Sequence, residues 1–248
     1  EWIVEYGADR VETMGTMFLG LTLTCSRCHD HKYDPVKQKD FYRLFAFFNN
    51  IAEAGLGPNN GNSPPFIKGP KSWPNLSEAE SKFVVPEKVK IRGVKSIPRP
   101  QPGAPDTVMV LHELAEPRPT YLLRRGQYDQ PDKSEELQPA TPPILGGWNK
   151  EWSSNRLGLA QWLMDPGHPL TARVTLNRLW QHHFGVGLVI TAEDFGSQGA
   201  RPSHPDLLDW LGVTFIESGW DIQAMQRLML TSDAYRQRAV VDPELARL

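Results

Sequence analysis

Apolar residues recur at helical spacing in two separated blocks of this chain, with short alternating runs and proline-rich stretches between them. In residues 9–23, Val11, Met14, Phe18 and Leu21 fall three or four apart with Met17 alongside, which predicts an apolar helix. Asp9 suits its N-cap, while Gly15 and Gly20 weaken the helix and let another surface come close. Residues 30–35 (Asp-His-Lys-Tyr-Asp-Pro) read as a polar turn, because Asp-Pro favours turn initiation. Residues 38–49 carry Phe41, Leu44, Phe45 and Phe48 as one stripe, predicting a second helix.

The middle of the chain changes character. Gly, Pro, Asn and Ser dominate residues 55–75, which is loop chemistry. Short runs at 89–92, 107–111 and 120–123 alternate as strands of a small sheet do, and residues 129–150 return to linker composition. From about 153 the period is helical again. Ser153 or Ser154 caps a helix through Met164, stopped by Asp165-Pro166-Gly167. Pro169 fits the first turn of the next, with Val174, Leu176, Leu179 and Trp180 inside and Gly185 at its end. Ser203 caps a third helix carrying Leu207, Leu208, Trp210, Leu211, Phe215 and Ile216, closed by Gly219, and Asp221 caps a fourth with Ile222, Met225, Leu228 and Met229. The expected fold is α+β, predominantly α-helical with a small antiparallel β insertion in the middle. Its segments are 1–50, a loop-rich 51–150 and a helical 151–248.

Cysteine usage adds chemistry to this outline. Both cysteines in the 248 residues lie in Cys25-Ser26-Arg27-Cys28-His29. C-x-x-C-H is the sequence at which haem c is attached covalently, with the adjacent imidazole as proximal iron ligand. On one helical turn Cys25, Cys28 and His29 share a face. Three other readings stay open: a small redox disulfide, half of a zinc site with His29 or His31, or buried thiols. Zinc wants four ligands, and no second C-x-x-C or H-x₃₋₅-H is present to complete the set. A redox pair sits beside a βαβ pattern, which is not visible here.

Around the motif, Arg27, Asp30, His31 and Asp34 are candidates to bind propionates or orient the imidazole. A distal ligand would come from elsewhere: Met14 and Met17 are nearest in sequence, and His112, His182, His183 and His204 are remote. None is favoured, since methionines on an apolar helix face are usually core. His182 and His183 fit a helix C-terminus facing the dipole, and His204 before Pro205 fits a turn. Glu193, Asp194 and Asp209 could pair with Arg178 or His204 as an acid–base set, although linear spacing does not bring them together.

Charge and hydropathy narrow the partners. A net charge of −2 gives no basis for a nucleic-acid partner, and no run of 18 apolar residues exists to span a membrane. Eight tryptophans would suit a carbohydrate-binding surface. The chain opens Glu1-Trp2-Ile3-Val4, without Met or the layout of a signal peptide, and reads as a fragment of a larger protein.

Two blocks carry a family resemblance. TMGTMFLGLTLTCSRCHDHKYDPVKQKDFYRLFAFF resembles the end of the planctomycete cytochrome-like domain, where a Leu-Gly-Leu-Thr helix leads into Cys-x-Arg-Cys-His-Asp-His-Lys-Phe/Tyr-Asp-Pro. The second block resembles the start of the domain that usually follows it. Its marks here are Asn177, Arg178 and Trp180; Phe184, Gly185, Gly187 and Leu188; Asp194, Phe195 and Gly196; then Ser203, His204, Pro205, Asp209 and Trp210. The resemblance implies a periplasmic or secreted bacterial protein whose parents often carry a separate N-terminal cytochrome c module, and it brings no established activity. The first expectation is therefore an exported haem-c-binding module for electron transfer, with that module or another redox protein as partner. The alternative is an exported hydrolytic or carbohydrate-processing enzyme, or an accessory binding module, in which C-x-x-C-H is structural.

Overall fold

The structure, a computed structural model, describes residues 1–53 and 111–237, together with the backbone of two strands at 66–68 and 107–109. Six α-helices form among the described residues: α1 Trp2–Met14, α2 Gln38–Asn49, α3 Arg156–Leu163, α4 Thr171–Phe184, α5 Pro205–Glu217 and α6 Ile222–Thr231. The β content is two small antiparallel pairs. Strand β1 (Phe66–Lys68) pairs with β2 (Thr107–Met109), and β3 (Leu122–Leu123) pairs with β4 (Pro131–Asp132). The fold is thus α+β and mostly helical. Two compact units divide the chain: residues 1–50 with 114–248, and residues 51–113.

The first helix departs from the expected one for a physical reason. It starts at Trp2, seven residues before Asp9, so Asp9 lies inside it and is not its cap. After Met14 the chain widens into a π-helical turn, Gly15–Leu19, which ends at Gly20 in the left-handed region (φ 58°). A π turn adds a residue to the repeat and rotates all that follows. Val11 and Met14 stay buried, while Phe18 swings out to 41 % exposure and Leu19 takes its place in the core. Leu21 is buried too, beyond the helix.

Helix α2 forms over the residues expected. Phe41, Leu44 and Phe45 are buried, and Asp40 Oδ2 accepts from Lys37 N (3.0 Å) to cap the first turn. The caps of the later helices shift. Asn155, not Ser153 or Ser154, caps α3 by accepting from the amides of Leu157 and Gly158. Pro169 lies outside α4, and His204 rather than Ser203 holds the N-cap position of α5. Asp221 does cap α6, through Ala224 N.

In the middle, a strand at Phe66–Lys68 occupies part of the stretch expected to be loop. The run at 89–92 lies outside the described residues. Residues 129–150 are not bare linker: β4 falls there, and Leu137 and Leu145 are buried in the first core. That core gathers α1, α2 and α3 around Phe41, Tyr42, Phe47 and Trp162, while a second packs α4, α5 and α6 around Leu176, Leu211, Phe215 and Met225. Asn177 is fully buried in α4 and clamps the following loop, donating to Val189 O (2.9 Å) and accepting from Val189 N (2.8 Å).

Candidate functional site

The cysteine motif sits on a single 3-10 turn, Thr24–Arg27, which Gly20 and the buried Leu21 and Leu23 deliver from the end of the π turn. Cys28 N and His29 N both donate to Cys25 O, at 3.2 and 3.3 Å. Side chains at i and i+3 eclipse in such a turn, so Cys25 and Cys28 project to the same side. Both thiols are free and exposed, and His29 is exposed beside them. Ser26, between them, points the other way and is fully buried.

The back of the turn is fixed by a set of bonds. Tyr42 Oη and Gln38 Nε2 donate to Arg27 O, at 2.9 and 3.0 Å, and Gln38 Nε2 also reaches Leu123 O at 3.1 Å. Burial pushes the Tyr42 phenol well above its ordinary value, so it remains a donor. The Arg27 guanidinium pairs two-pronged with the Glu5 carboxylate and holds Glu5 below the usual carboxylate range, chiefly through the hydrogen bond. Gly126 closes from the side: a Cβ there would meet Cys28 Sγ at 3.0 Å. Nothing in the sequence singled out Gln38, Tyr42, Glu5 or Gly126, because the partners that fix this turn are 11 to 98 residues away. A run of polar residues gave no sign of such distant pairings.

His29 Nδ1 lies 2.7 Å from Asp30 O. A carbonyl only accepts, so Nδ1 carries a hydrogen, and in the neutral ring the lone pair is on Nε2. His31 serves differently. Its Nδ1 accepts from Asp34 N (2.9 Å), and its side chain is nearly enclosed. Asp34 Oδ2 approaches the same nitrogen at 3.4 Å, but a nitrogen that accepts an amide proton is not the cation of an ion pair. Asp30 Oδ1 accepts from Gln38 N (2.8 Å), at the start of α2.

Asp34 reaches the 194–197 loop. Its Oδ1 accepts from Ser197 N (2.7 Å), and Gly196 is so close that a Cβ there would lie 2.4 Å from Asp34 Oδ2. Phe195 N donates to Gly20 O (2.7 Å), and Arg178 Nη2 donates to Thr16 O (2.7 Å). The π turn and the motif loop are therefore clasped to the α4 side of the same unit.

Behind the clasp, Arg178, His182, Ile190, Glu193 and Asp194 line an open cleft of about 700 Å³. Asp209 is elsewhere, bonded to Arg173 Nε at 2.6 Å, and His204 Nδ1 stands 3.0 Å from Ser203 Oγ. Of the acid–base candidates, the structure thus brings together Arg178, Glu193 and Asp194, with His182 added. Met14 is buried in the first core, and Met17 and His112 are exposed. His183 meets Tyr235 edge to face. Among the described residues, no group of three or more His, Cys, Asp or Glu side chains is placed to hold a metal ion. No described helix is long and apolar enough to cross a membrane.

Two family models match this chain. Residues 1–53 match PSCyt2, protein of unknown function (DUF1549), and residues 155–248 match PSD1, protein of unknown function (DUF1553). The cysteine turn lies in the first match and the cleft in the second, so the Asp34–Ser197 and Gly20–Phe195 contacts join the two matched segments. No curated protein and no solved structure matches the chain.

Proposed function

We propose that the chain is an exported, c-type haem-binding module for electron transfer, with thioether bonds at Cys25 and Cys28 and His29 Nε2 as proximal iron ligand. The observation that carries this reading is the outward face of the 3-10 turn. Two free, exposed thiols stand there three residues apart beside an imidazole whose Nδ1–H is tied to Asp30 O. That bond leaves Nε2 available as a ligand, as a second partner on the other ring nitrogen does in metal-binding histidines. Cys25 and Cys28 would hold the haem covalently, each through addition of its S–H across a vinyl group. When bound, the haem supplies one-electron redox chemistry. Arg27, Gln38 and Tyr42 hold the turn from behind, so the thiols are presented without further ordering of the chain. Thioether attachment takes place after export, so this reading carries with it a location in the periplasm or outside the cell.

The experiment is intact-mass measurement of the chain exported by a host with haem-attachment machinery. A gain equal to one haem, lost in the Cys25→Ala/Cys28→Ala double variant and kept in Ser26→Ala, supports the reading. An unmodified mass for folded, exported protein overturns it.

A second reading rests on the cleft, where a guanidinium, an imidazole and two carboxylates converge on one depression. That set suits hydrolysis or handling of a polyhydroxylated substrate such as carbohydrate, with the C-x-x-C-H turn as structure. Glycoside or ester turnover abolished by Glu193→Gln, in protein that carries no haem, would favour it.

A further inference from the structure

A hairpin from outside both matched segments abuts one of the two thiols. Strands β3 and β4 pair across residues 122–132, between the matches at 1–53 and 155–248. Gln38 Nε2 ties this hairpin to the cysteine turn by donating to both Leu123 O (3.1 Å) and Arg27 O (3.0 Å), and Leu123 is buried in the first core. At the hairpin's corner Arg125 and Gly126 are both left-handed, with φ 54° and 72°. That conformation is uncommon for a residue with a side chain and persists where the surroundings over-determine it. Gln127 N closes the corner on Arg124 O (3.1 Å).

The corner sets the buried Gly126 against Cys28. A Cβ on Gly126 would lie 3.0 Å from Cys28 Sγ, 3.3 Å from Arg27 Cγ and 3.5 Å from Arg27 Nε. Carbon atoms pack at about 3.5–4.0 Å and sulfur is larger, so the first of these is a clash. Three groups meet there, and two are held. Arg27 is fixed at both ends, its guanidinium by Glu5 and its carbonyl oxygen by Tyr42 and Gln38. The hairpin is fixed by Leu123 and Gln38. The Cys28 thiol, free and exposed, is the group able to turn aside. A side chain at 126 is therefore accommodated at the expense of the sulfur's position.

We propose that Gly126 is a positioning residue for Cys28: its bare α-carbon leaves the sulfur the room it needs to add to an alkene. The three atoms nearest to a Cβ at 126 belong to Cys28 and Arg27, so the requirement falls on Cys28 and not on Cys25. The addition forms one S–C and one C–H bond while the S–H bond and the alkene π bond break. The alkene of interest is a haem vinyl group, so the purpose of the glycine rests on the haem reading, whereas its effect on the sulfur does not.

N-ethylmaleimide tests this through the same bond changes and without haem. The full chain is made without haem-attachment machinery, as Cys25→Ala to read Cys28 alone and as Cys28→Ala to read Cys25 alone. Gly126→Ala should slow Cys28 by about two- to tenfold, the factor expected for returning a sulfur from one side of its rotamer, and leave Cys25 unchanged. Loss of structure would instead speed both thiols. Gly126→Asn, which tolerates the left-handed backbone and carries the same Cβ, then decides on the same criterion. A Cys28 rate in the folded variant equal to that with Gly126 overturns the proposal. In exported, haem-loaded protein, Gly126→Ala should keep the mass gain of one haem but show the longer-wavelength pyridine haemochrome band of a haem with one vinyl group unreacted. The band of two thioether bonds in that variant overturns the proposal while the haem reading stands. Absence of haem from the wild type overturns the haem reading, and the maleimide rates still decide the effect of Gly126.

Discussion

Lowering the pH should loosen this protein through His168, and the size of the effect follows from its surroundings. The ring is 6 % exposed, its Nδ1 accepts the two amides that open α4, and its pKa is lowered to about 4 from 6.5, with burial as the main cause and Asp165 pulling weakly the other way. The unfolded chain therefore takes up a proton below pH 6.5 that the folded chain refuses until about pH 4. Stability is fully present above pH 6.5 and is lost as the pH falls toward 4. At about 1.4 kcal/mol per pH unit, the loss from this one group is about 1 kcal/mol between pH 7 and 5.5, and about 2.5 kcal/mol by pH 4.5. The assay is urea unfolding at those three pH values, on the wild type and on His168→Asn. Asparagine keeps an acceptor for the α4 amides and removes the titration. The variant will be less stable at pH 7, and the gap between the two proteins should narrow by about 2.5 kcal/mol on going to pH 4.5. Parallel pH profiles for the two proteins would refute the reasoning, since His168 would then be as easily protonated folded as unfolded.

Asp34→Ala removes a charged acceptor from Ser197 N and should cost about 1–2 kcal/mol, the exposed position of Ser197 keeping it low; faster hydrogen exchange at the Ser197 amide checks it. Gly20→Ala combines a left-handed backbone with a Cβ placed 2.7 Å from the Phe195 ring, and a loss of more than about 2 kcal/mol in urea unfolding is expected. Asn177→Ala strands the amide and carbonyl of the buried Val189 and should cost about 3 kcal/mol, with Asn177→Asp intermediate because it still accepts from Val189 N. Unchanged stability in Asn177→Ala would mean that water replaces both bonds.

Much of this architecture is visible in spacing alone, and the exceptions share a cause. Helix α2 and the cap of α6 are local signals, an apolar stripe and an aspartate one residue ahead of a helix, and both appear where the pattern puts them. The π turn is not local in that sense. Gly15 and Gly20 hint at close approach, but the extra residue makes sense only with the neighbours it meets, Phe195, Val174 and Arg178, more than 150 residues on. Residues 129–150 read as linker because prolines and glycines dilute their few apolar residues, yet Leu137 and Leu145 complete a core built by distant helices. The site divides the same way. Cys25, Cys28 and His29 are legible as one turn, whereas the roles of Arg27, His31 and Asp34 depend on partners that no spacing reveals: Glu5, the Asp34 amide and Ser197. The cleft likewise gathers Arg178 with Glu193 and Asp194 across a loop whose path Asn177 sets.

The visible spectrum of the exported chain, followed by a pyridine haemochrome assay, addresses the central claim most directly. The account predicts a c-type spectrum that survives denaturation, because the haem is bonded to Cys25 and Cys28, and that disappears in the double alanine variant. A folded, exported protein with no haem band would contradict it, and the thiols of this turn would then need another role.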